Sequence, residues 1–293
     1  MSAAILAPTR MTGRIHSKMD TTRMQVIGLC RFSYPALGGF QIEHDTPEAR
    51  AAFLYDPQRM EERFATFQTL TLPSLRAQTD PDFTLAIVVG DAMPEPLLAR
   101  LLDLVEDMPQ AVIIPRAPGR HRQVMREVIN DVRRDSPLPS LQFRMDDDDA
   151  VAVTFVQRLR EAAAGLAPLL GEHRYISIDF NQGHIARISP KGIHAKPAIE
   201  TLWTPGLGMA VAPGASRGIM NFSHAKLGRV MPVLTLPGED IFLRGHNAFN
   251  DSRQKDGIRP VRLPLLDAAG ENAFRRIYSI DADHVRAHFA KGA

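Results

Sequence analysis

Short apolar runs alternate with amphipathic segments along the first 170 residues of the chain. The first run is MQVIGLCRF at 24–32, and further runs follow at 83–89, 111–117 and 141–145. Runs of this length, rich in β-branched residues and bounded by Pro, Gly or Asp, predict buried strands. Because a helical segment separates each pair, the pattern predicts an α/β fold with parallel strands and helices on both faces of the sheet.

The segments between these strands carry apolar residues at every third or fourth position, the spacing of a helix with one buried face. This spacing predicts helices at 56–78, 94–108, 121–135 and 150–170. The last of them would start directly after a run of four aspartates.

The second half of the chain is less regular. Short apolar segments at 174–179, 184–190, 198–203 and 207–213 are separated by Gly, Pro and Asn, a pattern that predicts short strands in a mixed or antiparallel region. The chain shows neither an internal repeat nor a flexible linker. We therefore expect one domain over 24–293, preceded by a loose leader at 1–23.

The composition is that of a folded globular protein, with 293 residues, 44% hydrophobic residues and a formal charge of +2. No apolar run approaches the roughly 18–20 residues that a membrane-spanning helix needs. One cysteine excludes an intramolecular disulfide and a cysteine-built zinc site, so the cytoplasm is the expected location. Basic residues form no stripe interleaved with aromatics, which argues against nucleic-acid binding.

An acidic run follows the fourth predicted strand: Asp146, Asp147, Asp148 and Asp149. Four adjacent carboxylates repel one another unless a positive charge lies between them. Residues two apart point to the same side of an extended segment, so a D-x-D pair can converge on one Mg²⁺ or Mn²⁺ ion. The alternative is a solvated turn in which Asp149 caps a helix that begins near Ala150.

Four segments together resemble a known family: CRFSY at 30–34, PSLRAQTDPDFTLAIVVGD at 73–91, FRMDDDDAV at 143–151 and PGEDIFLRGHN at 237–247. They resemble the bacterial rhamnosyltransferases, glycosyltransferases of the GT-A type, over roughly residues 24–250. The resemblance implies a GT-A-like fold, a nucleotide-diphosphate sugar donor, a D-x-D metal site, and transfer to a glycan or other hydroxyl acceptor.

The resemblance also implies roles for the acidic run. Asp146 and Asp147 would contact the donor, and Asp148 together with Asp146 would bind the metal, although the four-residue run leaves the register open by one position. His246 resembles a late histidine that completes metal or diphosphate binding, with Asn247 as a weaker candidate beside it.

Four further residues receive roles from the resemblance. Arg31 and Asp91, each at the end of a predicted strand, would contact the donor; the alternatives are a packing arginine and a turn aspartate. Asp240, or its neighbour Glu239, resembles the base that deprotonates the acceptor in inverting transferases. The alternative for these two is an acid-rich first turn of a helix that opens at 238–240.

We therefore expect a metal-dependent glycosyltransferase, acting with inversion, whose sugar would be rhamnose on the strength of the family name alone. Residues 24–170 would bind the nucleotide-sugar and 171–293 the acceptor, with peripheral membrane contact where the acceptor is lipid-linked. One rival function is a metal-dependent phosphohydrolase, although Ala150 and Val151 stand where D-x-D-x-T would need threonine. The other rival is a non-catalytic protein that binds nucleotide-sugars or glycans.

Overall fold

A computed structural model describes residues 20–38, 44–246 and 262–290. Most of the predicted leader, and Asn247, lie outside these described residues. Within the leader, Thr21–Arg23 form a 3₁₀ turn, and the Thr21 carbonyl accepts a hydrogen bond from Arg160 Nη1 at 3.2 Å. The end of the predicted leader therefore packs against the body of the protein.

Eleven strands occur in the described residues. In chain order they are β1 Val26–Arg31, β2 Thr84–Gly90, β3 Ala111–Arg116, β4 Ser140–Asp146, β5 Ala150–Val151, β6 Tyr175–Phe180, β7 Gln182–Ser189, β8 Gly192–Ile199, β9 Leu207–Val211, β10 Val233–Leu236 and β11 Phe242–Gly245.

The α-helices of the described residues connect and flank these strands. They are α1 Pro47–Leu54, α2 Pro57–Thr66, α3 Leu72–Arg76, α4 Glu95–Val105, α5 His121–Val132, α6 Phe155–Gly165, α7 Ala167–Leu170, α8 Ala268–Tyr278 and α9 Ala282–Ala290. A π-helical segment, Phe67–Thr71, joins α2 to α3, so the predicted helix at 56–78 is present as a continuous helical stretch.

Seven of the described strands form one sheet in the order β10-β6-β9-β4-β1-β2-β3. Neighbours from β4 to β3 are parallel, β9 runs antiparallel to both β4 and β6, and β10 is parallel to β6. The remaining four form a small mixed sheet in the order β5-β11-β7-β8. The predicted α/β fold, mostly parallel with a smaller mixed region, is confirmed.

The large sheet has a separate core on each face, and alternating residues of β4 pack into one of them. Leu141, Phe143 and Met145 pack into the core that includes residues of α2, α3 and α6. The opposite face packs against α5, whose Met125 joins a second core. Because side chains alternate along a strand, Arg144 and Asp146 share the α5 side of the sheet.

Three predicted elements are wrong, each because long-range pairing overrides a local pattern. The helix predicted from 150 begins only at Phe155, since Ala150 and Val151 are buried and pair with β11. The strand predicted at 198–203 is misplaced, because β8 runs from Gly192 to Ile199 and pairs along its length with β7. The helix predicted to open at 238–240 is absent, and the chain leads instead into β11.

None of the helices in the described ranges combines the length and apolarity that crossing a bilayer would require.

Candidate functional site

The acidic run forms a tight turn at the carboxyl end of β4. Asp146 is the last residue of β4 and lies opposite Arg31 of β1. The Asp149 carboxylate closes the turn by accepting the Asp146 N–H at 3.2 Å and the Gly245 N–H at 3.0 Å. The interpretation of Asp149 as a helix cap is therefore wrong, because this side chain joins the turn to β11.

Gly245 allows β11 to lie directly on this turn. A Cβ at position 245 would stand 2.2 Å from the carbonyl oxygen of Asp148. No side chain can be accommodated at that distance without moving the backbone of one segment. The glycine thus sets how closely β11 and the acidic turn approach each other.

Arg63 of α2 neutralises part of the negative charge of the acidic run. This side chain is 2% exposed, and its Nη1 lies 2.9 Å from Asp147 Oδ1 and 3.7 Å from Asp148 Oδ2. Arg63 is not among the residues predicted from the sequence, where a metal was expected to compensate the charge of the acidic run. One feature of the sequence could have pointed to Arg63: it is a basic residue next to Phe64, on a helix whose apolar residues predict a buried face.

Basic residues also surround Asp146. Burial by itself raises the pKa of this carboxyl, yet four guanidinium groups together hold the pKa below its ordinary value. One of them, Arg31, places Nη2 at 3.6 Å from Asp146 Oδ1. The four are Arg31, Arg63, Arg144 and Arg244.

Asp149 has the opposite environment. Burial raises its pKa well above the ordinary value, and the neighbouring charges of Asp148 and Asp146 raise it further. Asp146 is thus held ionised beside arginines, whereas the ionised form of Asp149 is disfavoured. A cation near Asp148 would relieve this repulsion.

Three carboxylates are placed to hold a cation. One oxygen each of Asp146, Asp148 and Asp149 lies within 4.8 Å of the others. Oxygens that share one Mg²⁺ at about 2.1 Å lie up to about 4.2 Å apart, so small side-chain rotations suffice. Both oxygens of Asp149 already accept backbone N–H groups, which leaves Asp146 and Asp148 as the ligands that fit best.

His246 lies near this cluster without joining it. Its backbone N–H bonds to Ala186, and its side chain lines a pocket shared with Asp148. Burial, followed by Arg187 and Arg244, lowers the pKa of the imidazole. Within the described residues, the group that could hold a metal consists of carboxylates and does not include His246.

The structure does not bring Asp240 or Glu239 to the acidic turn. Glu239 is half exposed and forms an ion pair with Arg158 at 2.5 Å, while Asp240 accepts a hydrogen bond from Gln182 at 3.0 Å. Asp240 lies five positions before Gly245 along extended chain, which corresponds to roughly 16 Å. Their role as base stays a prediction.

Asp91 lies at the same edge of the sheet as Arg31, one residue beyond β2. It is exposed, and its backbone N–H donates to the Arg116 carbonyl at 3.0 Å. Its charge adds to the effect of burial in raising the pKa values of Tyr34 and Tyr55 to about 12. No contact found in the described residues joins Asp91 to the acidic turn, so its role in donor binding also stays a prediction.

Two pockets flank the turn on opposite sides. The α2 pocket, of about 590 Å³, is lined by Glu62, Asp148, Arg187, His246, His288 and Phe289 among others. The Arg144 pocket, of about 190 Å³, is lined by Arg31, His121, Arg144, Asp146, Thr204 and His224 among others. The acidic turn thus contributes Asp148 to one pocket and Asp146 to the other.

The sequence analysis missed Arg144 and His121. Arg144 had a usable signal, since it lies two residues before Asp146 in a strand that is otherwise apolar. His121 had none, because it reaches the site only through the packing of α5 on the sheet.

Comparison with known families identifies the chain. The model of the family described as "Putative rhamnosyl transferase" matches residues 25–259, well over half of the sequence. The chain belongs to this family. Membership confirms the resemblance drawn from the four sequence segments.

No curated protein matches this member of the rhamnosyl transferase family. Among solved structures, S. aureus TarS 1–349 in complex with UDP-GlcNAc is similar at 9% identity with a TM-score of 0.41, over 78% of this chain and 60% of that one. The 4-diphosphocytidyl-2C-methyl-D-erythritol synthase of Anaerococcus prevotii is similar at 10% identity with a TM-score of 0.33, over 74% of this chain and 88% of that one. These likenesses are too distant to inform the activity.

Proposed function

We propose that the protein transfers a sugar from a nucleoside-diphosphate donor to a hydroxyl acceptor, with a divalent cation held by Asp146 and Asp148. The observation that carries this proposal is the position of the two carboxylates. They lie at the carboxyl end of a parallel strand, where α/β sheets bind their ligands, and between two pockets. Family membership supplies the reaction class.

The two pockets divide the substrates between them in this proposal. Arg31 and Asp146 line the Arg144 pocket and bind the donor, whereas Asp147 is 3% exposed, is paired with Arg63 and lines neither pocket. Mn²⁺ or Mg²⁺ on Asp146 and Asp148 would neutralise charge on the departing diphosphate. The α2 pocket, which reaches Asp148 from the other side and is three times larger, receives the acceptor.

Inversion, rhamnose as the sugar and a cytoplasmic location belong to the same proposal. The family name supports the sugar, the resemblance of the segment at 237–247 to the family supports inversion, and the single cysteine supports the location. The division into halves at residue 170 is not part of it, because residues from both sides of that position line each pocket. A base is required for inversion, because the acceptor oxygen must lose its proton as it bonds to the anomeric carbon. Asp240 is the residue predicted from sequence, and Glu62 is a carboxylate that lines the α2 pocket.

Asp148→Ala tests the metal and donor assignment. The wild-type protein is expected to gain more thermal stability from a nucleoside diphosphate together with Mn²⁺ or Mg²⁺ than from the nucleoside diphosphate alone, since a ligand that binds the folded state stabilises it. The variant is expected to lose this joint shift and at least about tenfold in transfer rate, because one metal-binding carboxylate is gone. Differential scanning fluorimetry and a product assay measure the two effects.

Asp107→Ala is the matched control, because Asp107 is an exposed carboxylate whose described partner is Arg76, away from the site. It is expected to behave as wild type. Normal metal-dependent binding and turnover in Asp148→Ala would overturn the assignment. Release of inorganic phosphate without sugar transfer would instead favour the phosphohydrolase, and binding without either product would favour the non-catalytic protein.

A further inference from the structure

A partly buried guanidinium group without a carboxylate in direct contact lies in the Arg144 pocket. In the described part of the chain, the hydrogen-bond partner of Arg144 is the thioether sulfur of Met220, 3.5 Å from Nη1. Its Nε is buried and has no hydrogen-bond acceptor there. A thioether is a weak acceptor, so most of the hydrogen-bonding capacity of Arg144 is unused, while the nearby charge of Asp146 compensates part of its positive charge. Burying such a charge is costly unless an anion accompanies it.

The other groups that line this pocket make it more positive. Arg31 adds a second guanidinium, and Asp146 is the one carboxylate among the lining residues. Arg122 is exposed nearby and lowers the pKa of Arg144, as burial does to a greater extent. The pocket therefore carries more positive than negative charge before any cation binds to the acidic turn.

Two histidines in their neutral form, His121 and His224, also line the Arg144 pocket. Burial, with Arg31 and Arg144, lowers the pKa of His121 to about 3. Burial and Arg144 also lower the pKa of His224, whose Nδ1 lies 2.8 Å from the Leu202 carbonyl and so carries the proton. His121 is the first residue of α5, so the positive end of a twelve-residue helix adjoins the pocket.

We propose that the Arg144 pocket binds the diphosphate of the donor through the guanidinium groups of Arg144 and Arg31, independently of a metal ion. This inference rests on the proposed function for the identity of the ligand. Arginine suits the task because its planar fork donates two parallel hydrogen bonds to phosphate oxygens. When the sugar leaves, the electron pair of the broken bond stays on the diphosphate oxygen, next to these two charges.

The Arg144 pocket is compact, with a volume of about 190 Å³ against about 590 Å³ for the α2 pocket. The nucleoside and the sugar would extend from it along the sheet edge.

The test titrates inorganic pyrophosphate into the full-length protein in the presence of EDTA. Trp203 is the single tryptophan of the chain and precedes Thr204 of the pocket wall, so its fluorescence reports on occupancy. Wild type is expected to bind pyrophosphate without metal. Arg144→Met is expected to bind about tenfold to a hundredfold more weakly, because charge-assisted hydrogen bonds are lost. Arg144→Lys, which keeps the charge and loses the fork, should fall between them.

A stability measurement separates this binding role from a structural one. Removing a partly buried and only partly compensated charge should leave the melting temperature of Arg144→Met equal to or above that of wild type. Arg134→Met, at the opposite end of the sheet, is the matched control and should bind pyrophosphate as wild type does. Inorganic phosphate is expected to bind at least about tenfold more weakly than pyrophosphate, because it reaches only part of the pocket.

Three results would overturn the inference: no pyrophosphate binding by wild type, equal binding by Arg144→Met, or equal affinity for phosphate and pyrophosphate. A failure of the proposed function gives a different pattern. In that case pyrophosphate binds in an Arg144-dependent way, yet no nucleotide-sugar is turned over with Mn²⁺. Conversely, Arg144→Met could transfer sugar in an Mn²⁺-dependent way with an unchanged KM for the donor. That result would support the proposed function and would reject only the role of the Arg144 pocket in binding the diphosphate.

Discussion

The acidic turn depends on individual charges that belong to the protein itself. Arg63 lies between Asp147 and Asp148, and Arg31 lies beside Asp146, so part of the repulsion within the run is relieved without a metal. A cation would therefore add to an arrangement that is already partly neutralised. This separates the stability of the turn from its activity, and each can be tested by a substitution.

Arg63→Met tests the structural part. Removing one partner of a buried ion pair leaves the other charge uncompensated, so we expect a loss of about 3–5 kcal/mol in the free energy of unfolding in EDTA. Mn²⁺ is expected to raise the melting temperature of this variant more than that of wild type, because it replaces the lost charge. Denaturant unfolding with and without Mn²⁺ measures both. Wild-type stability of Arg63→Met in EDTA would refute this account.

Asp179 provides a pH-dependent test away from the site. This carboxyl is fully buried in β6 and accepts hydrogen bonds from Leu202 N–H at 2.8 Å and Thr235 Oγ1 at 3.1 Å, yet burial raises its pKa. The folded protein thus holds the Asp179 proton more tightly than the unfolded chain. Its contribution to stability is fully present below the ordinary pKa and is lost as pH rises through the raised one.

Asp179→Asn removes this titration and keeps an acceptor for the Leu202 N–H. We expect the variant to melt a few degrees above wild type at pH 8, with the difference shrinking towards pH 4. Melting temperatures of both proteins, measured between pH 4 and pH 8, test this expectation. A difference that stays constant with pH would show that the ionisation of Asp179 has no effect on stability.

At the level of strands and helices, β11 is the element that builds the site. It pairs with β5 and β7, and its last residue contacts the acidic turn through the Gly245 N–H. The segment that precedes it was expected to be helical, and the difference matters for function. An extended chain moves Asp240 away from the turn, whereas Gly245 and His246 come close to it.

Gly245→Ala tests this contact between elements. The added methyl group would meet the Asp148 carbonyl, so we expect a loss of about 1–3 kcal/mol in stability and a weaker Mn²⁺-dependent thermal shift. Gly165→Ala is the matched control, since a Cβ there at the end of α6 meets no atom within 4 Å. It should be neutral or slightly stabilising. An unaltered thermal shift in Gly245→Ala would contradict the packing described here.

Viewed as a whole, the molecule places the acidic turn between two pockets of different size and charge. In the proposed function, the donor and the acceptor approach Asp146 and Asp148 from these two pockets. The base that deprotonates the acceptor could come from either of two distant parts of the chain. One candidate, Glu62, lies in α2, and the other, Asp240, lies in the segment before β11.

Asp240→Asn and Glu62→Gln distinguish these two candidates. Loss of the base is expected to slow transfer by about 10²–10⁴-fold while donor binding is unchanged. The sequence prediction requires this effect in Asp240→Asn, and the geometry of the α2 pocket would place it in Glu62→Gln. Single-turnover transfer rates and donor affinities measure the two variants, with Glu106→Gln on an exposed helix end as control. Parent rates in Asp240→Asn would reject the sequence prediction.

Local pattern alone determined the parallel half of this protein. The strands β1 to β4, the helices from α2 to α5 and the position of the acidic run at a strand end all follow from spacing within short segments, and four such segments sufficed to identify the family. These features depend on periodicity and turn chemistry that act over a few residues.

The tertiary structure decided which residues meet at the acidic turn. Arg63 approaches it from α2, Gly245 from a strand 96 positions beyond Asp149, and Arg144 is left without a carboxylate in direct contact only because of what surrounds it. No local pattern encodes these contacts, since each depends on two distant segments being packed together. β5 and β11 pair with each other although a helix was predicted to begin at 150 and another at 238–240. Burial and the hydrogen bonds between the two strands outweigh the intrinsic helix propensity of these segments.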